Sequence, residues 1–166
     1  MQAAQVAQGA KAQEAPTREA LRKIFSAIID EGLTRPDVVE AVEAKVNDRA
    51  VEVYVKARYA YVLLSYREGA GYEAEAGPLA VVSSHFAGLY YAPVRFKFEA
   101  KGRTAREAVR ALREAAKERM PRLDEAVRAL MEAAYGVATE LLSSALDVVN
   151  ATAEALKEVK EMLSVD

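Results

Sequence analysis

The chain has 166 residues, of which 52% are hydrophobic and 29% are charged, and its formal net charge is −2. This length and composition allow a substantial buried core, so we expect one folded domain and no global disorder. The chain has no cysteine and one histidine, which excludes disulfides, a thiol nucleophile and any metal site built from several cysteines or histidines. We therefore expect no metal and no other cofactor. The abundance of Glu and Arg is typical of proteins from hyperthermophiles.

Residues 1–14 are mostly Ala and Gln and carry no apolar stripe that could pack on a core. Such an arm frays on its own, so we expect another chain or nucleic acid to hold it. Residues 15–166 are expected to form a single helix-rich domain. The N-terminus lacks the charged and apolar segments of a classical signal peptide, so secretion by that route is not expected.

Two short helices are predicted at the start of the domain. The first begins at Pro16 and ends at Gly32, which suits the left-handed cap that closes many helices. Its buried stripe is predicted to comprise Leu21, Ile24, Phe25 and Ile28. The second is expected to begin with Thr34 as its N-cap, because Asp37 follows at the third helical position. It continues through Val39, Val42 and Val46.

The stretch 50–66 fits both a strand and a helix. Read with a period of two, one side carries Val51, Val53, Val55, Ala57, Tyr59, Tyr61 and Leu63. A helical register is also unbroken through Val39, Val42, Val46, Ala50, Val53, Ala57, Ala60 and Leu64. We favour a strand after Asn47-Asp48, because Val and Tyr are enriched in strands.

The segment 67–78 reads as a loop, because it contains Gly69, Gly71 and Gly77-Pro78. Further strands are predicted at 79–83 and 94–99. In the second of these, apolar residues alternate with charged ones, which indicates a half-buried strand.

A basic helix is predicted after Gly102. Thr104 and Glu107 have the spacing of a capping box, in which the hydroxyl and the carboxylate each accept a backbone N–H. The segment 95–122 carries ten basic and four acidic residues, whereas 123–166 carries three basic and nine acidic ones. The candidate nucleic-acid-binding residues on this helix are Arg103, Arg106, Arg110, Arg113 and Lys117.

The cationic stripe has three interpretations. Four cations on one helix face suit a row of phosphates. The spacings Arg103–Glu107 and Arg110–Glu114 also fit pairs that lie along a solvated helix. In the third interpretation the stripe docks on an acidic protein face, such as the acid-rich C-terminal segment of another copy.

Pro121 is predicted to end the basic helix and to begin the last one, over 122–164. Unbroken, that helix would be about 65 Å long, whereas a compact domain of this size is about 40 Å across. We expect either a break at Gly136, Ser143-Ser144 or Asn150, or an elongated and oligomeric protein. The residues predicted to be buried include Leu130, Val137, Leu141 and Val148. Because Glu140 and Asp147 interrupt the apolar stretch, a bundle or subunit contact is favoured over a membrane span.

No motif indicates an enzyme. The spacing of Gly69, Gly71 and Ala74 fits a dinucleotide-binding loop, but Gly77-Pro78 blocks the helix that such a loop requires. Ser84 and His85 are neighbours whose side chains would point to opposite faces of a strand, so they do not form a nucleophile–base pair.

The arrangement of an Ala/Gln arm, short amphipathic helices, a basic helix and a long apolar C-terminal helix resembles the coat proteins of filamentous viruses of hyperthermophilic archaea. This resemblance implies a helical packing of subunits, double-stranded DNA as a partner and a location in the virion. We accordingly expect a mainly α fold of the α+β kind, a helical bundle with a long C-terminal helix and a small central antiparallel β element.

The first functional hypothesis is a non-enzymatic, self-assembling structural protein, a capsid subunit that wraps nucleic acid. Its partners would be copies of itself or a closely related subunit. The alternative is a small, soluble α+β regulatory or binding module, dimeric and cytoplasmic.

Overall fold

A five-stranded antiparallel sheet forms the centre of the fold, with helices packed on one of its faces. The computed structural model describes residues 16–79, 84–86, 89–91, 96–135 and 139–165. The elements are α1 (Pro16–Asp30), β1 (Ala41–Val46), β2 (Ala50–Lys56), β3 (Ala60–Arg67), β4 (Gly71–Pro78), β5 (Ser84–Phe86), β6 (Leu89–Tyr91), β7 (Phe98–Gly102), α2 (Ala105–Tyr135) and α3 (Thr139–Leu163). The strand order is β1-β2-β3-β4-β7, and β5 and β6 form a separate hairpin.

The predicted fold class was wrong. The β element is not a small insertion in a helical bundle, because the sheet supplies much of the core and every helix packs against it. The class is α+β, with helices on one side of an antiparallel sheet.

The alternation in 50–66 does encode β structure, so the favoured prediction of a strand is confirmed. It forms two strands, β2 and β3, joined by a turn at 57–59. The turn shifts the inward side of the chain from odd-numbered to even-numbered residues. Val53 and Val55 are buried as predicted, but Tyr61 and Leu63 lie on the opposite face, and Val62 and Leu64 are buried instead. The helical register was a coincidence, because Val and Ala recur so often in this part of the chain that they also meet a spacing of three or four.

Two other predictions from the same region were wrong. The second short helix is absent, and 41–46 forms strand β1, paired with β2 in the register Ala44↔Val53. The predicted loop 67–78 is mostly strand β4, in which Tyr72, Ala74 and Ala76 face the core. Local glycines suggested a loop, but Gly69 lies in the tight turn and Gly71 is the first residue of β4, and both have positive φ.

The predicted strand at 94–99 corresponds to β7, which begins later and continues through Gly102. Its alternation is confirmed where the structure describes it, with Phe96 and Phe98 buried and Lys97 and Glu99 exposed. The predicted strand 79–83 falls largely outside the described residues.

The helices cover the inward face of the sheet in a fixed arrangement. Helix α1 packs on β2 and β3, α2 packs on β7 and β4, and α3 packs on β3 and β4. The largest fully buried side chains include Ile24, Ile28, Leu64, Phe98, Leu112, Met120, Met162 and Leu163. The opposite face of the sheet carries mainly polar, charged and tyrosine side chains, together with Leu63.

The helix ends follow the sequence signals at several points. Gly32 has a φ of 72°, and the Leu33 N–H donates to the carbonyl of Ile28, which is the expected left-handed cap. The Glu107 N–H donates to the Thr104 hydroxyl at 3.1 Å, and the Glu107 carboxylate accepts the Arg103 N–H at 3.0 Å. The capping box therefore forms, reaching back one residue further than predicted.

The prediction that Pro121 ends the basic helix was wrong. Helix α2 continues through Pro121 to Tyr135. Helix α3 begins at Thr139, and the predicted break at Gly136 lies outside the described residues. Among the residues predicted to be buried, Leu130 is half-buried. The side chains of Val137, Leu141 and Val148 lie outside what the structure describes, as does the arm 1–14. No helix in the described ranges is long and apolar enough to cross a membrane.

Candidate functional site

The cationic stripe of α2 lies against the end of α1. Arg106 pairs with Asp30. The Arg110 Nε donates to Glu31 Oε1 at 2.9 Å, and an Arg113 guanidinium nitrogen donates to Glu31 Oε2 at 3.0 Å. Three of the five candidate nucleic-acid-binding residues are thus engaged within the chain.

Glu31 is the most enclosed member of this cluster, with a side chain only 10% exposed. Burial alone would raise the pKa of its carboxyl group. Hydrogen bonds from Arg113 and Arg110, together with their positive charges, outweigh burial and hold the pKa below its usual range. The carboxylate is therefore ionised at neutral pH and stabilises both guanidinium groups.

Arg113 also connects two helix C-termini. Its Nε donates to the carbonyl of Leu163 at 2.7 Å, and its second guanidinium nitrogen donates to the carbonyl of Glu31 at 3.0 Å. Carbonyls at the last turn of a helix lack intrahelical partners and carry partial negative charge, so a cation placed there satisfies them. The side chain of Arg113 thus holds the ends of α1 and α3 against α2.

The other two candidates remain at the surface. Arg103 and Lys117 are exposed, and the side chain of neither makes an ion pair within the described part of the chain. Arg119, a basic residue outside the predicted set, donates to the carbonyl of Lys97 at 2.6 Å and lies over the ring of Phe98. The assignment of Arg103, Arg106, Arg110, Arg113 and Lys117 to nucleic-acid binding stays a prediction.

The outward face of the sheet is a second candidate surface. A shallow groove of about 660 Å³ lies there, lined by residues that include Glu52, Leu63, Ser65, Glu73 and Lys101. Its charges are mostly paired, because Lys97 contacts both Glu75 and Glu99, and Lys101 lies near Glu73. The Tyr61 hydroxyl donates to Glu75 at 2.6 Å. Burial raises the pKa of this hydroxyl, and the contact with Glu75 raises it further. The residues lining the groove comprise four acids and two bases, so the groove is weakly acidic and does not favour an anionic ligand.

Within the described ranges no group of three His, Cys, Asp or Glu side chains is placed to hold a metal ion. His85 lies in β5, whose side chains are outside what the structure describes.

The outer edge of β1 is the least protected part of the described sheet. Among the described strands, β1 pairs only with β2, and all six of its residues are exposed. The Asn47 N–H donates to the Ala50 carbonyl at 3.0 Å, which makes Asn47 and Ala50 a hydrogen-bonded pair. Alternation along an antiparallel ladder then directs the backbone groups of the odd-numbered residues toward β2. Those of Val42, Ala44 and Val46 point away from the sheet.

Apolar side chains surround this edge. Val42 and Val46 share the inward face of the sheet with Val55 and Val51, yet they are 41% and 49% exposed because no described helix covers β1.

Helix α1 supplies the other two apolar residues, Phe25 at 36% and Ile29 at 67% exposed. They lie on the side of α1 away from Asp30, which pairs with α2. Helix α1 packs on β2 and β3 and α2 packs on β4 and β7, so the side of α1 away from α2 is the one nearer β1 in the strand order. We call the outer edge of β1 together with Phe25, Ile29, Val42 and Val46 the β1 surface.

Sequence reasoning missed the β1 surface, although a signal for it exists. The helical spacing predicts Phe25 in the buried stripe of α1 and Val42 and Val46 in a second helix. The run from Val42 through Glu43, Ala44 and Lys45 to Val46 alternates strictly between apolar and charged residues, which indicates a strand.

No protein-family model, no curated protein and no solved structure matches this chain.

Proposed function

We propose that this protein is a non-enzymatic, self-associating subunit, and that the β1 surface is where its copies meet. The observation that carries the proposal is the outer edge of β1, with which no described strand pairs and which is lined on the inward face of the sheet by exposed apolar side chains. Four of the five large hydrophobic side chains that are exposed among the described residues belong to this one surface.

Physical chemistry favours covering such a surface. A free strand edge presents N–H and C=O groups that template pairing with another strand. Apolar side chains beside the edge gain free energy when a partner removes them from water. Strand addition would satisfy both requirements at once, since the backbone supplies hydrogen bonds and the side chains supply apolar contact.

A second copy of the chain is a suitable partner because β1 carries charges of both signs. Glu43 and Lys45 are both exposed and lie on the outward face of the sheet, two positions apart. Glu43 pairs with Lys56 of its own chain at 2.7 Å, yet its side chain remains 53% exposed and accessible to a second cation. A strand that offers one acid and one base at this spacing complements itself when it is paired antiparallel.

Duplex DNA remains a predicted partner of α2. The residues that would contact it are Arg103 and Lys117, the two candidates that are exposed and make no ion pair within the described part of the chain. Each neutralised phosphate contributes about −0.9 to the slope of log affinity against log salt. If both residues contact phosphates, replacing them by Gln flattens that slope by about 1.8. A filter-binding titration at several salt concentrations measures this, and unchanged binding would remove these two residues from the interface.

Light scattering coupled to size-exclusion chromatography tests the self-association. The wild-type chain is expected to elute as an oligomer. Ala44→Pro is expected to elute as a monomer, because it removes an N–H that points away from β2 and places the proline ring at the edge. The ladder between β1 and β2 does not use that N–H, so circular dichroism should show that the fold is retained.

A matched pair of side-chain variants tests the apolar part of the β1 surface. Ile29→Gln should weaken association, whereas Leu79→Gln, which alters an exposed apolar residue outside the β1 surface, should leave it unchanged. A wild-type chain that is monomeric at every concentration, or an Ala44→Pro variant that associates as the wild type does, would overturn the proposal.

A further inference from the structure

β1 has a sequence that complements itself when it is reversed. From Val42 to Val46 it reads apolar, acidic, small, basic, apolar. We infer that two copies pair antiparallel through β1 about a two-fold axis at Ala44, and that this pairing gives a closed dimer with one continuous sheet. The inference rests on the proposed self-association and specifies its register and its stoichiometry.

The backbone supports this register. The free groups at the edge belong to Val42, Ala44 and Val46, as the hydrogen bond from Asn47 to Ala50 establishes. With Ala44 opposite Ala44 of the second copy, Val42 lies opposite Val46 of the second copy. Each of these is a pair of residues whose N–H and C=O groups face each other, so every outward group between Val42 and Val46 is satisfied.

The side chains support the same register. Glu43 lies opposite Lys45 of the second copy, and the contact occurs twice because of the symmetry. These positions are non-hydrogen-bonded pairs, in which side chains approach most closely, so opposite charges attract there. On the other face Val42 meets Val46 of the second copy, and the two apolar patches become adjacent.

Neighbouring registers are unfavourable. A two-fold axis at Glu43 places two carboxylates opposite each other, and an axis at Lys45 places two ammonium groups opposite each other. Like charges directly across a strand pair are destabilising. Axes at Val42 or Val46 leave part of the strand unpaired and lose the Glu43–Lys45 contact.

Symmetry then decides between a dimer and a filament. An interface formed by the same surface on both copies closes at two subunits. A filament would need β1 of one copy to pair with β7 of the next. The edge at the start of β7 is partly occupied, because Arg119 donates to the Lys97 carbonyl. The assembly inferred here is therefore a discrete dimer.

Engineered cysteines test the register directly, since the native chain contains no cysteine. Opposed hydrogen-bonded residues have Cα atoms about 5.5 Å apart, which is within the range that a disulfide spans. Ala44→Cys should therefore form a covalent dimer under mild oxidation. Val42→Cys alone should not, because two copies of residue 42 would lie about 14 Å apart, four residues along the strand and one strand spacing across. A mixture of the Val42→Cys and Val46→Cys chains should cross-link.

Charge variants give a second readout on the non-covalent dimer. Glu43→Lys should weaken the dimer, because it places Lys opposite Lys45 of the second copy. The double variant Glu43→Lys/Lys45→Glu should recover part of the lost affinity, since the opposed charges across the dimer again differ in sign. Recovery is partial because Glu43 pairs with Lys56 and Lys45 lies opposite Glu52 within each chain, and the exchange makes both contacts like-charged. Analytical ultracentrifugation of the uncross-linked proteins measures both effects.

The outcomes separate this inference from the proposed function. If the wild type is a dimer in light scattering but Ala44→Cys does not cross-link, the register is wrong and self-association stands. If the wild type is a monomer, the register and the self-association are both wrong. An open polymer, or a double charge variant that is weaker than the single one, would overturn the closed two-fold dimer. If removing residues 1–14 abolishes dimerisation, the arm and not the β1 pairing holds the copies together, and the inference fails.

Discussion

Replacing Glu31 by Gln tests the role of the arginine cluster in holding the fold. The substitution keeps the shape of the side chain and removes its charge, which leaves the guanidinium of Arg113 without a counterion. Arg113 is only 23% exposed, whereas Arg110 is 64% exposed. A hydrogen bond to a charged group contributes about 1.5–3 kcal/mol when it is sheltered, whereas an exposed ion pair contributes about 0–1 kcal/mol.

We therefore expect Glu31→Gln to lower the free energy of unfolding by about 2–3 kcal/mol at neutral pH, with Arg113 responsible for most of the loss. The neighbouring variant Asp30→Asn is the matched control. It removes the counterion of Arg106 in a pair whose members are both about half exposed, so it should cost about 0–1 kcal/mol. Urea denaturation of all three proteins at one protein concentration measures the differences, provided that the slope of the transition is unchanged.

The pH dependence follows from the lowered pKa of Glu31. The unfolded chain binds a proton at higher pH than the folded chain does, so this contribution is fully present above the ordinary pKa of a glutamate, about 4.3. It is lost as pH falls through the folded-state pKa. The gap between wild type and Glu31→Gln should therefore narrow as the pH falls below about 4. The reasoning would be refuted if Glu31→Gln lowered the free energy of unfolding no more than Asp30→Asn does. A difference between wild type and Glu31→Gln that did not change with pH would also refute it.

Two further predictions concern packing. Gly102→Ala should be strongly destabilising, because its new Cβ would lie 2.4 Å from the backbone nitrogen of Ala108. The control variant Gly69→Ala has no neighbouring atom within reach of the new Cβ. It should lower the free energy of unfolding by only about 1–2 kcal/mol, because its φ is positive. Thermal unfolding of the two variants gives the comparison, and equal losses would contradict the close approach of β7 and α2. Leu112→Ala, at a fully buried position, should cost about 2–5 kcal/mol in urea denaturation. A loss under about 1 kcal/mol would place Leu112 outside the packed core.

Local signals in the sequence predicted local structure well. The glycine cap of α1, the Thr104 capping box and the alternation around Phe96 and Phe98 all appear in the structure. Each of these features depends on a few residues that are close together in the sequence, so the sequence alone is enough to predict it.

The wrong predictions share a different cause. The period-two and period-3.6 patterns coincide where Val is frequent, so 41–46 could be read as a helix until its pairing with β2 was known. The segment 67–78 was predicted to be a loop and not strand β4, because the glycines of a tight turn and those of a longer loop give the same local composition. The partners of Arg106, Arg110 and Arg113 were also out of reach, since Asp30 and Glu31 are distant in sequence and meet these arginines only when α1 packs beside α2.

Backbone amide hydrogen exchange along β1 tests the central claim most directly. The N–H groups of Glu43 and Lys45 face β2 and should be protected at any protein concentration. Those of Val42, Ala44 and Val46 face outward and should gain protection as concentration rises, because only a second strand can accept their hydrogen bonds. Alternate protection that depends on concentration is the result that strand pairing predicts. Rapid exchange of Val42, Ala44 and Val46 at every concentration would contradict self-association through β1.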